Sequence, residues 1–406
     1  MRVLAVALIL ASAACGSADA GPPLIPPDTT LVVASDPELR ALAAEILPQL
    51  AQRSGLELRE PVRLERRTRD DLERYLRSKL DEELPEERAE RLTRSYHLLG
   101  LVPGDLRLRE LLMAVYLEQV AGFYDPDSTA LFVLDDQPAE MLRPLLLHEL
   151  VHAVQDQTVP LDSITDPALD NDRRKAAQAA IEGHATLVMM EHVFSETQGR
   201  DLDVGRTPGF GDQLRPALDG ARDQYPALAS APAVVSESLL FPYLEGAGFV
   251  LEMWSGGRER GAAFRGLLPT STEQVLEPER RLGSEVDEPT EVRVLPARGE
   301  VLFDEVLGRA ESDLLLREHG AGAAALGWDG DRFALVGAEG STGLVWASVW
   351  DTAADRDAFV AALEPHLGAL PAEARIEVRE VDGRPVALLR VGYDGDVAVA
   401  LAGGHE

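Results

Sequence analysis

Cysteine occurs once in the 406 residues, at Cys15. A lone thiol excludes a disulfide framework, and its place near the N-terminus argues against a thiol nucleophile. Positive charge is also scarce: 39 Lys and Arg face 70 Asp and Glu, a net charge of −31 at pH 7. That balance argues against nucleic acid or an anionic membrane surface as the main partner. Solubility outside the cell accounts for the acidity more simply than a cationic substrate does. Lysine is nearly missing, with only Lys79 and Lys175, which reads as codon bias before function. No internal repeat is present. What remains is a 45% hydrophobic chain, long enough for two or three packed domains.

The first fifteen residues read as a targeting segment. Arg2 supplies one charge, and Val3 to Ala14 is an apolar stretch too short to span a bilayer as a mature helix. It runs into Ser12-Ala13-Ala14-Cys15-Gly16-Ser17, which resembles a bacterial lipobox, so Cys15 is expected to carry a lipid and anchor the chain to a membrane. Residues 16–35, rich at first in Gly, Ser, Pro and Asp, then serve as a tether. An ordinary cleaved signal peptide is the rival, and it leaves Cys15 unexplained.

Residues 36–120 read as helical. Leu39, Leu42, Ile46 and Leu50 follow Pro37 at helical spacing, and Arg69 to Leu80 and Glu86 to Leu99 interleave Arg and Glu on solvated faces. A more apolar helix, Leu106 to Val120, precedes a hairpin expected over Gly122 to Leu134, with its turn at Asp125-Pro126-Asp127-Ser128. Helices are expected from Pro144, over Asp172 to Glu196 and over Ser236 to Trp254. From residue 286 the texture is α+β. Strands are expected at Glu291–Val301, Arg332–Val336, Gly343–Trp350, Arg375–Glu380 and Pro385–Val391, and helices at Leu302–Glu318 and Ala353–Leu367. Asp329-Gly330 and Asp382-Gly383 are candidate hairpin turns.

The chemistry concentrates at His148-Glu149-Leu150-Val151-His152, an H-E-x-x-H in an apolar run. Histidines at i and i+4 share a helix face and can reach one metal ion, leaving Glu149 to act as general base on a water. A third protein ligand is needed. Gln155 and Thr158 stand where a short third-histidine pattern would need Gly and His, so that route is excluded. Glu182, in the apolar Ala179 to Ala185, is the leading candidate, because a carboxylate there is costly unless paired or metal-bound. His184 competes but diverges from Glu182 on a helix, and His192 and Glu191 are weaker. Small Ala179, Ala180, Gly183 and Ala185 would let this helix pack closely on the histidine helix.

Three segments carry a resemblance: Val120 to Pro126, His148 to Gln157, and Ile181-Glu182-Gly183-His184-Ala185-Thr186. His148 to Asp156, followed by the helix with Glu182, resembles the gluzincin, thermolysin-like branch of zinc metallopeptidases, and all three segments resemble more narrowly a group of bacterial metallopeptidases and lipoproteins. Phe241-Pro242-Tyr243, Ser271-Thr272-Glu273-Gln274, Ala325 to Trp328 and Gly330-Asp331-Arg332 extend it, to cover about residues 50–360. His184 departs from the group, where an acidic residue is more common. The resemblance implies that His148, His152 and Glu182 hold Zn²⁺ and that Glu149 activates water for attack on a peptide bond. Asp156 would orient a ligand imidazole or simply end its helix. Ala130 to Leu134 would be a substrate-pairing edge strand or a plain core strand. Tyr243, Tyr124 and His184 are candidate donors to the transition state, with Tyr243 preferred.

These readings give an α+β protein: signal peptide 1–15, tether 16–35, helical region 36–120, mostly helical zincin-like catalytic region 121–285 with a short edge sheet, and α+β domain 286–406. The expected function is a membrane-anchored, extracytoplasmic zinc metallopeptidase acting on protein or peptide. A catalytically inactive envelope-binding module and a zinc hydrolase of a non-peptide bond are the alternatives.

Overall fold

Val62-Arg63-Leu64-Glu65 alternates apolar and charged residues with period two, and Val62 and Leu64 turn inward while Arg63 is exposed. This stretch is a strand inside a region expected to be helical, because two buried side chains in a short, charge-rich run suffice when both neighbours are strands. In the computed structural model, which describes residues 28–207, 210, 225–321, 325–338 and 340–402, the protein is α+β. The expected signal peptide, Cys15 and the first part of the tether lie outside the described residues.

The first half contains β1 Val32–Ala34, α1 Pro37–Ser54, β2 Val62–Arg67, α2 Arg69–Glu83, α3 Glu86–Leu98, α4 Leu108–Gln119, β3 Gly122–Asp125 and β4 Ala130–Leu134. Then come α5 Ala139–Asp156, α6 Leu161–Ile164, α7 Asn171–Gln198, α8 Pro226–Ser230, α9 Ala233–Ser255, α10 Thr272–Leu276 and α11 Glu279–Leu282. The last part holds β5 Glu291–Pro296, β6 Glu300–Glu305, α12 Gly308–Glu318, β7 Trp328–Ala338, β8 Ser341–Trp350, α13 Ala353–Leu363, β9 Ala374–Val381, β10 Arg384–Val391 and β11 Val397–Ala402.

Strands β1, β2, β4 and β3 form one sheet in that order, with β1, β2 and β4 parallel and β3 antiparallel. The hairpin expected over Gly122 to Leu134 is present. Its edge is β3, however, and β4 is interior, which overturns the substrate-pairing reading of Ala130 to Leu134. A five-stranded antiparallel sheet, order β6-β7-β8-β10-β9, and the pair β5-β11 form the C-terminal part.

Several boundaries differ from expectation. Helix α5 starts at Ala139, not at Pro144, which sits inside it. Proline there removes one N–H whose acceptor would lie in the first turn, so the helix tolerates it. The run from Leu302 is strand β6 first and helix only from Gly308. Asp382-Gly383 is a hairpin turn with φ of 50° and 76°. Asp329-Gly330 is not: Gly330 lies within β7, where a Cβ would come within 2.2 Å of the Thr290 carbonyl oxygen.

One apolar cluster gathers α1, the four-stranded sheet, α5, α7 and α9. A second joins α2, α3 and α4 to α12 and the five-stranded sheet, for example Tyr96 and Leu112 with Leu314, Trp328 and Phe333. Helix α9 is long and apolar enough to cross a membrane, but it packs on α7 within the first cluster. The closest approach is at glycine. A Cβ on Gly183 would lie 2.1 Å from the Gly246 carbonyl carbon, and one on Gly246 2.0 Å from the Ala179 carbonyl oxygen. Gly183 and Ala179 thus serve contact with α9, while α7 also packs on the histidine helix, as expected, through Glu182 and the Ile181 carbonyl.

Gly183→Ala and Gly246→Ala are each expected to lower unfolding stability by about 1–3 kcal/mol, since backbone and not a yielding side chain meets the new methyl. Denaturant titration measures this, and an unchanged midpoint would refute the close crossing.

Candidate metal centre

Twelve of the eighteen residues of α5 are buried, on all sides of the helix. A helix apolar all round belongs in a core, so its polar residues need a reason to be there. His148, Glu149 and His152 are 4%, 0% and 0% exposed, and Glu182 on α7 is 3% exposed.

The fold brings three of these together. His148 Nε2 and Glu182 Oε2 are 3.1 Å apart, His148 Nε2 and His152 Nε2 3.2 Å, and His152 Nε2 and Glu182 Oε2 3.5 Å. A tetrahedral ion bound at about 2.0–2.1 Å sets its ligand atoms roughly 3.3 Å apart. The three donors already stand at that spacing, and the group fits a metal ion. Among the described residues it is the one His/Cys/Asp/Glu cluster that does so.

Electrostatics shows what holds the cluster without an ion. Burial works to raise Glu182, but His152 and hydrogen bonds from both imidazoles hold it down to about 2. Burial works to depress His152, yet the Glu182 carboxylate, with Glu149 behind it, lifts it to about 9. Burial keeps His148 below its ordinary value. A single proton on His152, shared towards Glu182 and neutral His148, therefore stands where a cation would.

Glu149 lies beside the cluster. Its Oε2 accepts the Tyr124 backbone N–H at 2.8 Å, and its buried Oε1 has no hydrogen-bond partner among the described residues. That N–H points away from β4 because Phe123 and Asp125 make the ladder bonds of β3. The free edge of the sheet thus orients this carboxylate. Burial pushes Glu149 up to about 8.

Gln155, one turn past His152, organises the surroundings. Its Oε1 accepts the His152 Nδ1–H at 2.8 Å, and its Nε2 donates to the Ile181 carbonyl at 3.0 Å and to His184 Nδ1 at 2.9 Å. These bonds fix the His152 tautomer with Nε2 facing the cluster. His184 in turn donates from Nε2 to the Ser54 carbonyl at 3.0 Å and packs its ring against Trp254 and Phe264. It points away from the cluster. Sequence reasoning used Gln155 only to exclude a third histidine; its i+3 spacing from His152 was the signal for this role.

The other candidates take other places. Asp156 does not orient an imidazole: it accepts the Tyr124 hydroxyl and the Leu161 N–H, both at 2.8 Å. Tyr124 is thereby bound at two points, two turns apart on one face of α5. His192 pairs with Glu196, and Glu191 with Arg53 and Arg260, all away from the cluster. The Tyr243 hydroxyl bonds the Glu182 carboxylate, and its ring lies 6.1 Å from that of His148. Ser271 caps its helix by accepting the Gln274 N–H, and Gln274 Oε1 accepts the N–H of Thr270. A cavity of about 220 Å³ runs from Glu182 and Tyr243 between α4, α7 and α9 towards β6 and α12.

The fold and this centre define an α+β protein with a buried His148–His152–Glu182 group, on two packed helices, that could hold a metal ion. A family model described as a domain of unknown function (DUF8575) matches residues 294–404. The matched part covers the C-terminal strands and not the ligand-bearing helices. No curated protein and no solved structure matches the chain.

Two outcomes follow. Below about pH 9 an incoming ion must expel the His152 proton, and its charge also draws off the Glu149 proton. Binding should release about one to two protons, with apparent affinity rising about tenfold or more per pH unit from 6 to 8. Both groups sit above their ordinary values in the folded, metal-free state, so that state loses stability as pH rises through 8 to 9. The drop in Tm on chelation should accordingly be larger at pH 9 than at pH 6. Separately, Gln155→Leu should weaken metal binding about 10–100-fold with the fold retained, as read by chelator competition; unaltered affinity would remove the role given to Gln155.

Proposed function

We propose that the chain is an extracytoplasmic zinc-dependent metallopeptidase, held to a membrane through a lipid on Cys15, with His148, His152 and Glu182 as zinc ligands. The observation that carries this is Glu149. A purely structural metal site has no use for a buried carboxylate beside the ligands, with one oxygen anchored by the Tyr124 N–H and the other unpartnered. Gluzincin-type resemblance in His148 to Gln157 and around Glu182 supports zinc, as does the nitrogen-rich donor set.

When bound, Zn²⁺ would lower the pKa of a water towards roughly 7 and polarise the carbonyl under attack. Glu149 takes the proton of the attacking water at Oε1 and delivers it to the departing amine nitrogen. Tyr124 holds Glu149 in place from the edge of β3. Gln155 keeps His152 in the tautomer that presents Nε2. Tyr243 bonds Glu182, so its first role is to position that ligand; donation to a transition-state oxyanion would require the hydroxyl to change partner. The surrounding apolar cluster excludes bulk water.

The near-complete burial of all three ligands favours a second reading, in which the ion only clamps α5 to α7. One pair of variants separates the two. Glu149→Gln should keep about one zinc per chain and lose peptide hydrolysis by about 10²–10⁴-fold, whereas Glu182→Ala should lose the metal. Hydrolysis that survives Glu149→Gln would refute the mechanism, and full zinc retention in Glu182→Ala would refute that ligand.

A further inference from the structure

The five-stranded antiparallel sheet has two edges, β6 and β9, and they differ. At β6 the register with β7 shifts between Val301 and Phe303, α3 lies alongside, and Arg91 donates to the Leu302 carbonyl. A bulge and a cover are ordinary protections of an edge strand. At β9 neither is present. Its eight residues pair with β10 without a register shift, contain no proline, and leave Val378 52% exposed.

The turn decides which backbone groups of β9 face outward. Asp382-Gly383 is a two-residue loop, so Val381 and Arg384 form a hydrogen-bonded pair. Bonded and non-bonded pairs then alternate along the ladder. Arg379 with Val386 and Glu377 with Leu388 are bonded pairs. Glu380, Val378 and Ile376 lie between them, so their N–H and C=O groups point away from β10. Pro385, opposite Glu380, agrees with this phase because no N–H is needed there. The Arg379 carbonyl, which faces β10, takes a second bond from Arg356 on α13. Among the described residues no backbone group from outside the ladder meets Ile376, Val378 or Glu380.

The pattern of charge selects the partner. Arg375, Glu377 and Arg379 share the face turned to β11, where Arg375 donates to the Asp394 carbonyl and Arg379 to that of Val397. A second copy of the strand, related by a two-fold axis normal to the sheet, opposes residues of the same face. Two registers overlap nearly the whole strand. One, over residues 374–380, sets Glu377 against Glu377 and Arg375 against Arg379. The other, over residues 375–381, sets Glu377 against Arg379 twice and Val378 against itself. Like charges directly opposite destabilise a sheet and opposite charges support it. Of these two, the second register is the self-complementary one.

We propose that β9 is a self-association edge, at which two copies of this chain pair antiparallel about Val378 and join their five-stranded sheets into one. Each Val378 exchanges both main-chain bonds with its counterpart, and each Ile376 does so with the opposite Glu380. A strand edge is small beside the roughly 1,200–2,000 Å² of a standard interface, so the expected dissociation constant is about 1–100 µM. The edge is separate from the metal centre and does not rest on the peptidase reading.

Sedimentation of the full chain from about 1 to 200 µM should pass from one chain to two. Arg379→Glu, which sets a glutamate against Glu377, should weaken association about tenfold or more. Adding Glu377→Arg to the same chain should restore it, because the opposed pair returns with its signs exchanged. In a Cys15→Ser background, Val378→Cys should form an intermolecular disulfide on mild oxidation and Glu380→Cys should not, since residue 378 alone meets its own copy. A chain that stays single throughout overturns the proposal and leaves the edge to a strand from another protein. Association unaltered by Arg379→Glu, or lost and not restored by the exchange, overturns it as well. Cross-linking faster at 380 than at 378 overturns the register.

Discussion

The structure depends on charge buried between α5 and α7. His148, Glu149, His152 and Glu182 are almost wholly withdrawn from water inside an apolar layer. Ionised groups in such a place cost several kcal/mol each unless compensated. Two ionised carboxylates and two neutral imidazoles carry a charge of −2, which one divalent cation neutralises. Without the cation, protons on His152 and Glu149 achieve the same balance, and that is why both are raised while Glu182 stays ionised. Metal and protons are alternative occupants of one electrostatic need.

That need fixes the backbone around it. Glu182 has to meet both histidines, so α7 must lie close to α5, and Gln155 secures the approach by donating to the Ile181 carbonyl. Tyr243 has to reach Glu182 from α9, which is possible because Gly183 and Gly246 let the two helices meet backbone to backbone. Glu149 has to be held without losing its free oxygen, and the outward N–H of Tyr124 on β3 does this. A helix crossing and a sheet edge, far apart in sequence, converge on the same few ångströms.

The ligand-bearing helices were legible in sequence because histidines at i and i+4 and a lone glutamate in a small apolar run are local patterns. The hairpin over Gly122 to Leu134 and the turn at Asp382-Gly383 were legible for the same reason. Non-local facts were not. Strand β2 was hidden because its side chains are mostly charged, and only its pairing with β1 and β4 makes Val62 and Leu64 core residues. Strand order cannot be read from a single strand, so Ala130 to Leu134 stayed open between edge and core, and the sheet makes it core and gives the edge to β3. The partner of Gly183 was misjudged similarly: small residues signal a close approach but do not name the helix that approaches.

The choice of an amide at position 155 follows from the same charge balance. A carboxylate accepting the His152 Nδ1–H would make the imidazole a stronger ligand, but it would add a third negative charge to a buried site that one divalent ion would otherwise balance. The amide orients His152 at no cost in charge. It also has two N–H groups, and both are used, on the Ile181 carbonyl and on His184 Nδ1. A carboxylate could supply neither bond. His184 is then left a neutral imidazole whose remaining N–H goes to Ser54 at the end of α1, in keeping with the burial that depresses it to about 4. The polar chain from metal ligand to α1 is thus built from uncharged groups, so only the cluster itself calls for a cation.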